Sequence, residues 1–314
     1  MFLQAGEYNI ALDGKETASN VNFVSHAHSD HYSGIKRGST LITSEITKEL
    51  LEARGKSGLI RIDEPDCVTL LNAGHVLGSK QLFVKNDLYG YTVTYSGDYQ
   101  VDEPVLAEKI EMRETDALIM DSTYANPEIE FGDKNDAVTS IQHYAKMKLE
   151  KGSVIFKAYS LGRSQELIKI LNEVGIQPVV DPFTELVNKV YEKHGIKLDY
   201  SVCESESLNC GNNFVGIFAG SKIGKIKERL TANGRRIFTA VATGWARYFV
   251  FDTDVQFALS DHADFKQAIE YVEACNPKQI FTKGENAKIF ARNLVLRGYN
   301  ARPIDNNSLS SYLM

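Results

Sequence analysis

The sequence predicts an α/β protein in which a small domain built on a parallel sheet is inserted into a larger one. Three observations carry that expectation. Short apolar runs through the first 120 residues read as buried strands, and several of them end in His or Asp. From about Pro127 a strand and helix rhythm repeats, as in a parallel sheet flanked by helices. Apolar strands resume at Phe257 to Ser260 and Gln279 to Thr282, which makes the repeating part interior to the chain. The expected boundaries are 1–127 for the first part of the larger domain, 128–255 for the insert and 256–314 for the remainder.

Taken in order, Val21 to Val24 is a buried strand, and Leu41 to Ser44 a short one. Glu45 to Arg54 has the apolar spacing of a helix that Gly55 stops. Val68 to Leu71 and Gln81 to Val84 bracket His75, while Tyr91 to Tyr95 alternates as a strand that delivers Asp98 beyond its end. Val105 to Met112 reads as a surface segment. Ala117 to Met120 is a buried strand ending at Asp121, and Asn126-Pro127 breaks the pattern. In the insert, Ser153 to Ala158 precedes a helix over Gly162 to Val174, and Pro178 to Val180 precedes one over Phe183 to His194. Phe214 to Ala219 with Ile223 to Leu230 repeats the unit, and Arg236 to Ala242 closes it.

Within Val24 to Gly34, VSHAHSDHYSG, three imidazoles and a carboxylate fall in six residues, a density that packing does not require. An extended His26-Ala-His28 places both rings on one side of the backbone, where they can share an ion. Asp30 and His31 reach the same pocket from a turn and can hold a second ion. Nitrogen and oxygen donors without thiolate suit zinc, with manganese or iron also compatible.

This HxHxDH arrangement resembles the signature of the metallo-β-lactamase superfamily, and the resemblance implies two mixed sheets packed face to face with helices outside, an αββα sandwich. In that pattern Gly74-His75 supplies a further ligand and Gly97-Asp98 a bridging carboxylate, while Asp13, after Ile10-Ala-Leu, orients ligands from behind. Further stretches are similar to the β-CASP nucleases, in which an inserted cap domain accompanies action on phosphodiester bonds. They are Ala73 to Ser79, Tyr95 to Tyr99, Asp121 to Tyr124, Ser160 to Leu167, Thr243 to Trp245 and Leu259 to Asp264. Thr-Gly-Trp and Leu-Ser-Asp-His-Ala-Asp look most like DNA-repair members, including exonucleases associated with DNA ligases.

The resemblance implies roles that chemistry supports. His26, His28, His75 and Asp98 form a first metal shell; Asp30, His31 and a bridging Asp98 serve a second. Such ions acidify water and stabilise charge on phosphoryl oxygens, which phosphodiester hydrolysis needs. His262 is the proton donor, held by Asp121. Ser160, Gly162 and Arg163 precede a helix whose amides can face a phosphate, and Trp245 and Arg247 can line a nucleic-acid cleft. RNA-acting members commonly carry a metal-ligating His in a His-Gly pair where Lys283-Gly284 stands here. That departure favours a DNA exonuclease, with an RNA 3'-end processing nuclease or a non-catalytic nucleic-acid-binding subunit as the alternatives. It leaves one zinc firmly bound with the second weak or absent, and lets the Lys283 ammonium reach toward Asp30 or Asp98.

Bulk properties bound the reading. A chain of 314 residues with 43% hydrophobic residues builds a well-buried core. No basic, apolar leader opens the sequence and no run approaches membrane-spanning length, which points to a cytoplasmic protein without a membrane partner. Four scattered cysteines with no CxxC favour thiols over disulfides. The net charge of −6 provides no basic footprint for nucleic acid, but its distribution is informative. Residues 128–255 hold 17 basic against 16 acidic side chains, and the rest 18 against 25. The acidity therefore lies with the metal ligands, where bound cations offset it.

Overall fold

The computed structural model describes residues 1–14, 19–86, 90–203 and 212–304. The chain divides into two compact units, Met1–Glu130 with His262–Met314, and Phe131–Asp261.

The larger unit starts with β1 (Phe2–Ala5), β2 (Tyr8–Leu12), β3 (Val21–Phe23), β4 (Thr40–Ile42), α1 (Glu45–Ala53) and β5 (Ile60–Arg61). These five strands form one sheet in sequence order, antiparallel between β1 and β2 and parallel thereafter. Next come β6 (Val68–Asn72), β7 (Lys80–Asn86), β8 (Tyr91–Tyr95) and β9 (Ala117–Asp121).

The smaller unit contributes α2 (Lys134–Leu149), β10 (Ser153–Lys157), α3 (Arg163–Asn172), β11 (Val179–Val180), α4 (Pro182–Lys193) and β12 (Ser201–Val202). It continues with β13 (Val215–Phe218), α5 (Gly220–Ala232), β14 (Ile237–Ala242), a short 3-10 turn at Gly244–Arg247 and β15 (Val255–Phe257). Its sheet, ordered β12-β11-β13-β10-β14-β15, is parallel throughout.

The larger unit closes with α6 (Phe265–Cys275), β16 (Gln279–Lys283), α7 (Ala287–Leu296) and β17 (Ala301–Pro303), giving a second mixed sheet ordered β17-β16-β9-β8-β7-β6. Strand alternation sorts its side chains. Ala117, Ile119 and Phe281 join Ile10, Phe23 and Ile42 in the core between the two sheets. Leu118, Met120 and Ile280 face the other way, onto Phe265, Tyr271 and Val272 of α6 and Phe290 and Leu294 of α7. This is the layered sandwich with helices outside, and the separate parallel sheet with helices accompanies it.

Two elements depart from the expected pattern. Helix α2 was not anticipated, because it buries only Ile141 and Ala145 and so lacks a broad apolar stripe. The strand expected at Phe257 to Ser260 is Val255–Phe257, and it does not rejoin the larger unit. It pairs with Ala240–Ala242 of β14, and Phe257 packs on Tyr144 and Phe156. The segment at 105–112 forms no helix or strand, but Ile110 is buried. Cys210, considered above among the scattered thiols, lies outside the described residues. Among the described residues no helix is long and apolar enough to cross a membrane.

Helix α4 offers a test of local encoding. Asp181 is buried and caps it, accepting from the amides of Phe183 at 2.9 Å and Thr184 at 3.1 Å. Asp181→Ala is expected to destabilise the protein by about 1–2 kcal/mol, and Asp181→Asn, which keeps the acceptor, by much less. Urea unfolding measures both; equal losses would show that the cap is not what Asp181 supplies.

Candidate metal centre

The centre assembles where strands of the two sheets of the larger unit end. Strand β3 runs into Val24-Ser25, whose backbone is held from three sides. Val24 N–H donates to Ile42 O at 3.2 Å, Thr43 Oγ1 donates to Val24 O at 2.7 Å, and Lys80 N–H donates to Ser25 O at 2.8 Å. His26, His28, Asp30 and His31 therefore leave a fixed point. His75 and Asp98 follow glycines with steric work to do. Gly74 has φ +77, and a Cβ there would sit 2.4 Å from Gln100 O; Gly97 has φ +56, and its Cβ would lie 2.6 Å from Ser25 Cβ. Only glycine lets these two loops approach so closely.

His26 Nε2 lies 2.9 Å from His28 Nδ1, which lies 3.2 Å from His75 Nε2. Asp98 Oδ2 is 3.6 Å from His26 Nε2 and 3.8 Å from His75 Nε2. Four bonds of 2.0–2.1 Å in a tetrahedron place their donors about 3.3 Å apart. The observed separations scatter around that value, so the residues fit an ion of zinc's size and donor preference. Burial holds the His26 imidazole well below its ordinary pKa, and nearby His31 adds to the drop. The neutral ring is the ligating form.

Proton positions in the layer behind follow from what each group can do. Asp13 is buried and accepts from Ser25 N–H at 2.7 Å, Ser25 Oγ at 2.6 Å, Tyr95 OH at 3.0 Å and His31 Nδ1 at 2.8 Å. Because a carboxylate only accepts, Nδ1 of His31 carries the proton and Nε2 is left to face the centre. Ser25 Oγ, having given its proton to Asp13, accepts from His26 Nδ1 at 3.0 Å. One carboxylate thus fixes a proton on Nδ1 of both histidines, directly for His31 and through Ser25 for His26. Tyr95 is kept protonated by burial and by the charges of Asp13 and Asp98, which push its pKa well above the ordinary value.

His31 Nε2 faces Asp98 Oδ2 at 3.3 Å and Asp30 Oδ2 at 3.4 Å. Burial opposes a charge on His31, but Asp98 and Asp13 outweigh it and raise its pKa well above the ordinary value. Burial likewise opposes ionisation of Asp98, yet His31 and His262 hold its carboxyl well below the usual range. Asp30, whose side chain is 79% exposed, is held at about 2, first by its hydrogen bond with His31. Among the described residues, Asp30 joins no group of three donors whose atoms all lie within 4.8 Å of one another. A second ion there would have fewer preformed ligands than the first.

His262 approaches from the turn that precedes α6. Ala263 N–H donates to Tyr99 O at 2.9 Å, and Asp264 caps α6 through Gln267 N–H at 3.1 Å while Gln267 Oε1 accepts from Asp264 N–H at 3.0 Å. The ring sits with Nε2 3.8 Å from Asp98 Oδ2 and Nδ1 3.4 Å from Asp121 Oδ2. Asp121 divides its labour, since Oδ1 accepts from Thr123 N–H at 3.1 Å and Thr123 Oγ1 at 2.7 Å, leaving Oδ2 for His262. Lys283 does not pair with Asp30 or Asp98; its ammonium donates to Tyr95 OH at 3.3 Å. The β16 backbone carries it alongside β9, with Lys283 opposite Asp121.

Ser160, Gly162 and Arg163, expected to meet phosphate, lie in the smaller unit and have hydrogen-bond partners within it. Arg163 is buried, hydrogen-bonds Glu166 and pairs with Asp261 at 3.2 Å, and Glu166 also takes Lys134 at 3.2 Å. The first α3 amides turn inward, Arg163 N–H to Leu161 O at 3.2 Å and Ser164 N–H to Tyr159 O at 3.2 Å. Gly162, with φ +80, permits that turn, and Ser160 O accepts from Gln165 Nε2 at 2.9 Å. Trp245 is half-buried and stands edge-on to the exposed Phe249 at 5.3 Å, while Arg247 borders a hollow of about 290 Å³ with Asp133, Asp136 and Gln256. Sequence reasoning assigned no role to Ser25, Tyr95 or Thr123; a small hydroxyl beside a ligand carries no signal until the fold shows which carboxylate it touches.

No protein-family model matches the chain. It is 30% identical over 304 aligned residues, 89% of its length, to a probable DNA ligase of Opitutus terrae. To the 5' exonuclease Apollo of Gallus gallus it is 29% identical over 51% of its length, and to cleavage and polyadenylation specificity factor subunit 3 of Dictyostelium discoideum 32% over 35%. The matches span 28%, 37% and 14% of those proteins. With this sandwich, its separate parallel sheet and its His-rich centre, the chain belongs to the β-CASP family of the metallo-β-lactamase superfamily.

Asp13→Ala is expected to weaken zinc binding by about 10–100-fold, because Ser25 Oγ loses its acceptor and His26 the bond that orients its Nε2 donor. Competition against a chromophoric chelator measures the affinity. An unchanged affinity in a folded variant would remove Asp13 from the centre.

Proposed function

We propose that the protein is a metal-dependent nuclease that hydrolyses phosphodiester bonds, with DNA favoured over RNA, as an exonuclease in DNA repair or processing. The observation that carries this reading is His262, an imidazole whose Nε2 lies 3.8 Å from the same Asp98 oxygen that completes the four-donor set. A donor set alone would serve many hydrolases; an added imidazole held by a carboxylate supplies the acid that an alkoxide leaving group needs.

His26, His28, His75 and Asp98 would hold zinc, and manganese suits the same donors. When bound, such an ion supplies Lewis acidity toward water and toward a phosphoryl oxygen. Asp30 and His31 position the attacking water from the exposed side of the centre. As water bonds to phosphorus it passes a proton to the Asp30 carboxylate, and as the bond to the leaving oxygen breaks His262 Nε2–H gives its proton to that oxygen. Asp121 steadies the imidazole through Nδ1. In the smaller unit, Trp245 with Phe249 offers an aromatic surface on which a base can stack for about 1–3 kcal/mol.

The name of the Dictyostelium relative supports a second reading, RNA 3'-end processing. The two separate in one assay, with end-labelled single- and double-stranded DNA and RNA, zinc or manganese, and a chelator control. DNA cleavage that the chelator stops is expected, and cleavage of RNA alone would transfer the assignment.

Three variants test the roles. Asp30→Ala and His31→Ala are each expected to abolish turnover, and full activity in both would sink the proposed arrangement. His262→Ala is expected to lower kcat by about 10²–10⁴-fold while DNA affinity changes little, because a proton donor acts in the transition state. Equal losses in kcat and binding would make His262 a contact residue instead.

A further inference from the structure

We propose that the Lys283 ammonium stands in for a second metal ion, so that the centre holds one ion tightly. This rests on the metal-centre reading above, but not on which bond the protein cuts.

Among the described residues the donors of the larger unit fall into one set of four and a neighbouring set of three, Asp98, Asp121 and His262, and the Asp30 side belongs to neither. Four donor atoms converge at His26, His28, His75 and Asp98, a complete tetrahedral set. On the opposite side His31 Nε2 meets Asp30 and Asp98, and Asp30 is mostly in solvent. Strand β16 ends close by: Gly284 lies so near Asp121 that a Cβ there would fall 2.8 Å from its Oδ1. The side chain delivered at that strand end, Lys283, has no lone pair to offer while it is an ammonium.

What Lys283 does instead is specific. Its Nζ donates to Tyr95 OH at 3.3 Å and lies 5.7 Å from the centre of that ring. Tyr95 donates onward to Asp13 Oδ2, and the same oxygen receives His31 Nδ1. An ammonium can only donate, so it obliges the tyrosine oxygen to accept and commits its single proton to Asp13. The result is a directed chain from Lys283 through Tyr95 and Asp13 to His31. A positive charge is built into the fold two hydrogen bonds from the carboxylate behind the second site. A divalent ion entering beside His31 would meet that charge across a partly desolvated interior, where repulsion is stronger than in water.

The test is zinc binding by the chelator-stripped full chain in equilibrium dialysis, with circular dichroism to confirm folding. The unmodified protein is expected to hold one equivalent through desalting and to bind a second only weakly. Lys283→Met removes the charge and adds no good ligand; it is expected to tighten the second site by roughly tenfold. Lys283→His is expected to retain two equivalents, and Lys283→Arg one. Two tightly held equivalents in the unmodified protein, or a second site unmoved in both the Met and His variants, would overturn the inference. Should Lys283→His fail to fold, Lys283→Met decides. Correct metal counts without nuclease activity would defeat the function proposed above and leave this inference in place.

Discussion

A single buried carboxylate, Asp13, is the constraint on which the centre depends. It leaves the end of β2 with φ +45, a conformation that costs a non-glycine residue free energy and persists only where surrounding bonds enforce it. Here they do. The amide and hydroxyl of Ser25 and the ring of His31 reach Asp13 from the chain beyond β3, and Tyr95 reaches it from β8 of the opposite sheet. Burying a charge without partners would be prohibitive; four donors offset that cost. Asp13 is thereby both a rivet between sheets and the acceptor that tells two histidines which nitrogen to present.

The rest of the centre follows the same economy of using strand ends. Backbone pairing fixes where each strand stops, so a side chain one or two residues beyond is placed by the ladder rather than by a loop's own preferences. Asp121, at the end of β9, spends one oxygen on Thr123 and keeps the other for His262. His262 itself is fixed through its neighbours: Ala263 bonds Tyr99, and Asp264 starts α6, whose apolar face is sunk in the outer core. The apolar packing and the chemistry are thus not separable; a shift of α6 on its sheet would move the imidazole relative to Asp98.

Much of this was legible in the sequence, for identifiable reasons. Core strands such as Ala117-Leu-Ile-Met120 are short apolar runs with polar ends, and ligands crowded as HAHSDH stand out because few other pressures produce them. Other features were not readable. Helix α2 lies on its core through a narrow stripe, leaving no strong period. Phe257 reads equally well as either unit's strand; only its pairing with Ala242 and its contact with Tyr144 place it. The Ser160-Leu-Gly-Arg stretch suggested an open anion cradle, but a motif does not reveal that its amides and guanidinium are already engaged. For Lys283 the sequence showed a long cation near two acids, and only the fold shows that its ammonium donates to the phenol of Tyr95.

The engaged guanidinium has an implication of its own. Lys134, Arg163, Glu166 and Asp261 alternate in sign around two contacts of 3.2 Å and the Arg163–Glu166 bond, and their formal charges sum to zero. Deleting one partner of a buried ion pair costs about 3–5 kcal/mol, whereas exchanging the whole set for apolar residues of similar volume can be neutral. That cost applies to the buried Arg163 and Glu166, and less to Lys134 and Asp261, which are partly exposed. Lineages would keep the quartet intact or replace it in concert, so correlated substitution among the four would mark a shared electrostatic bond, not a shared ligand.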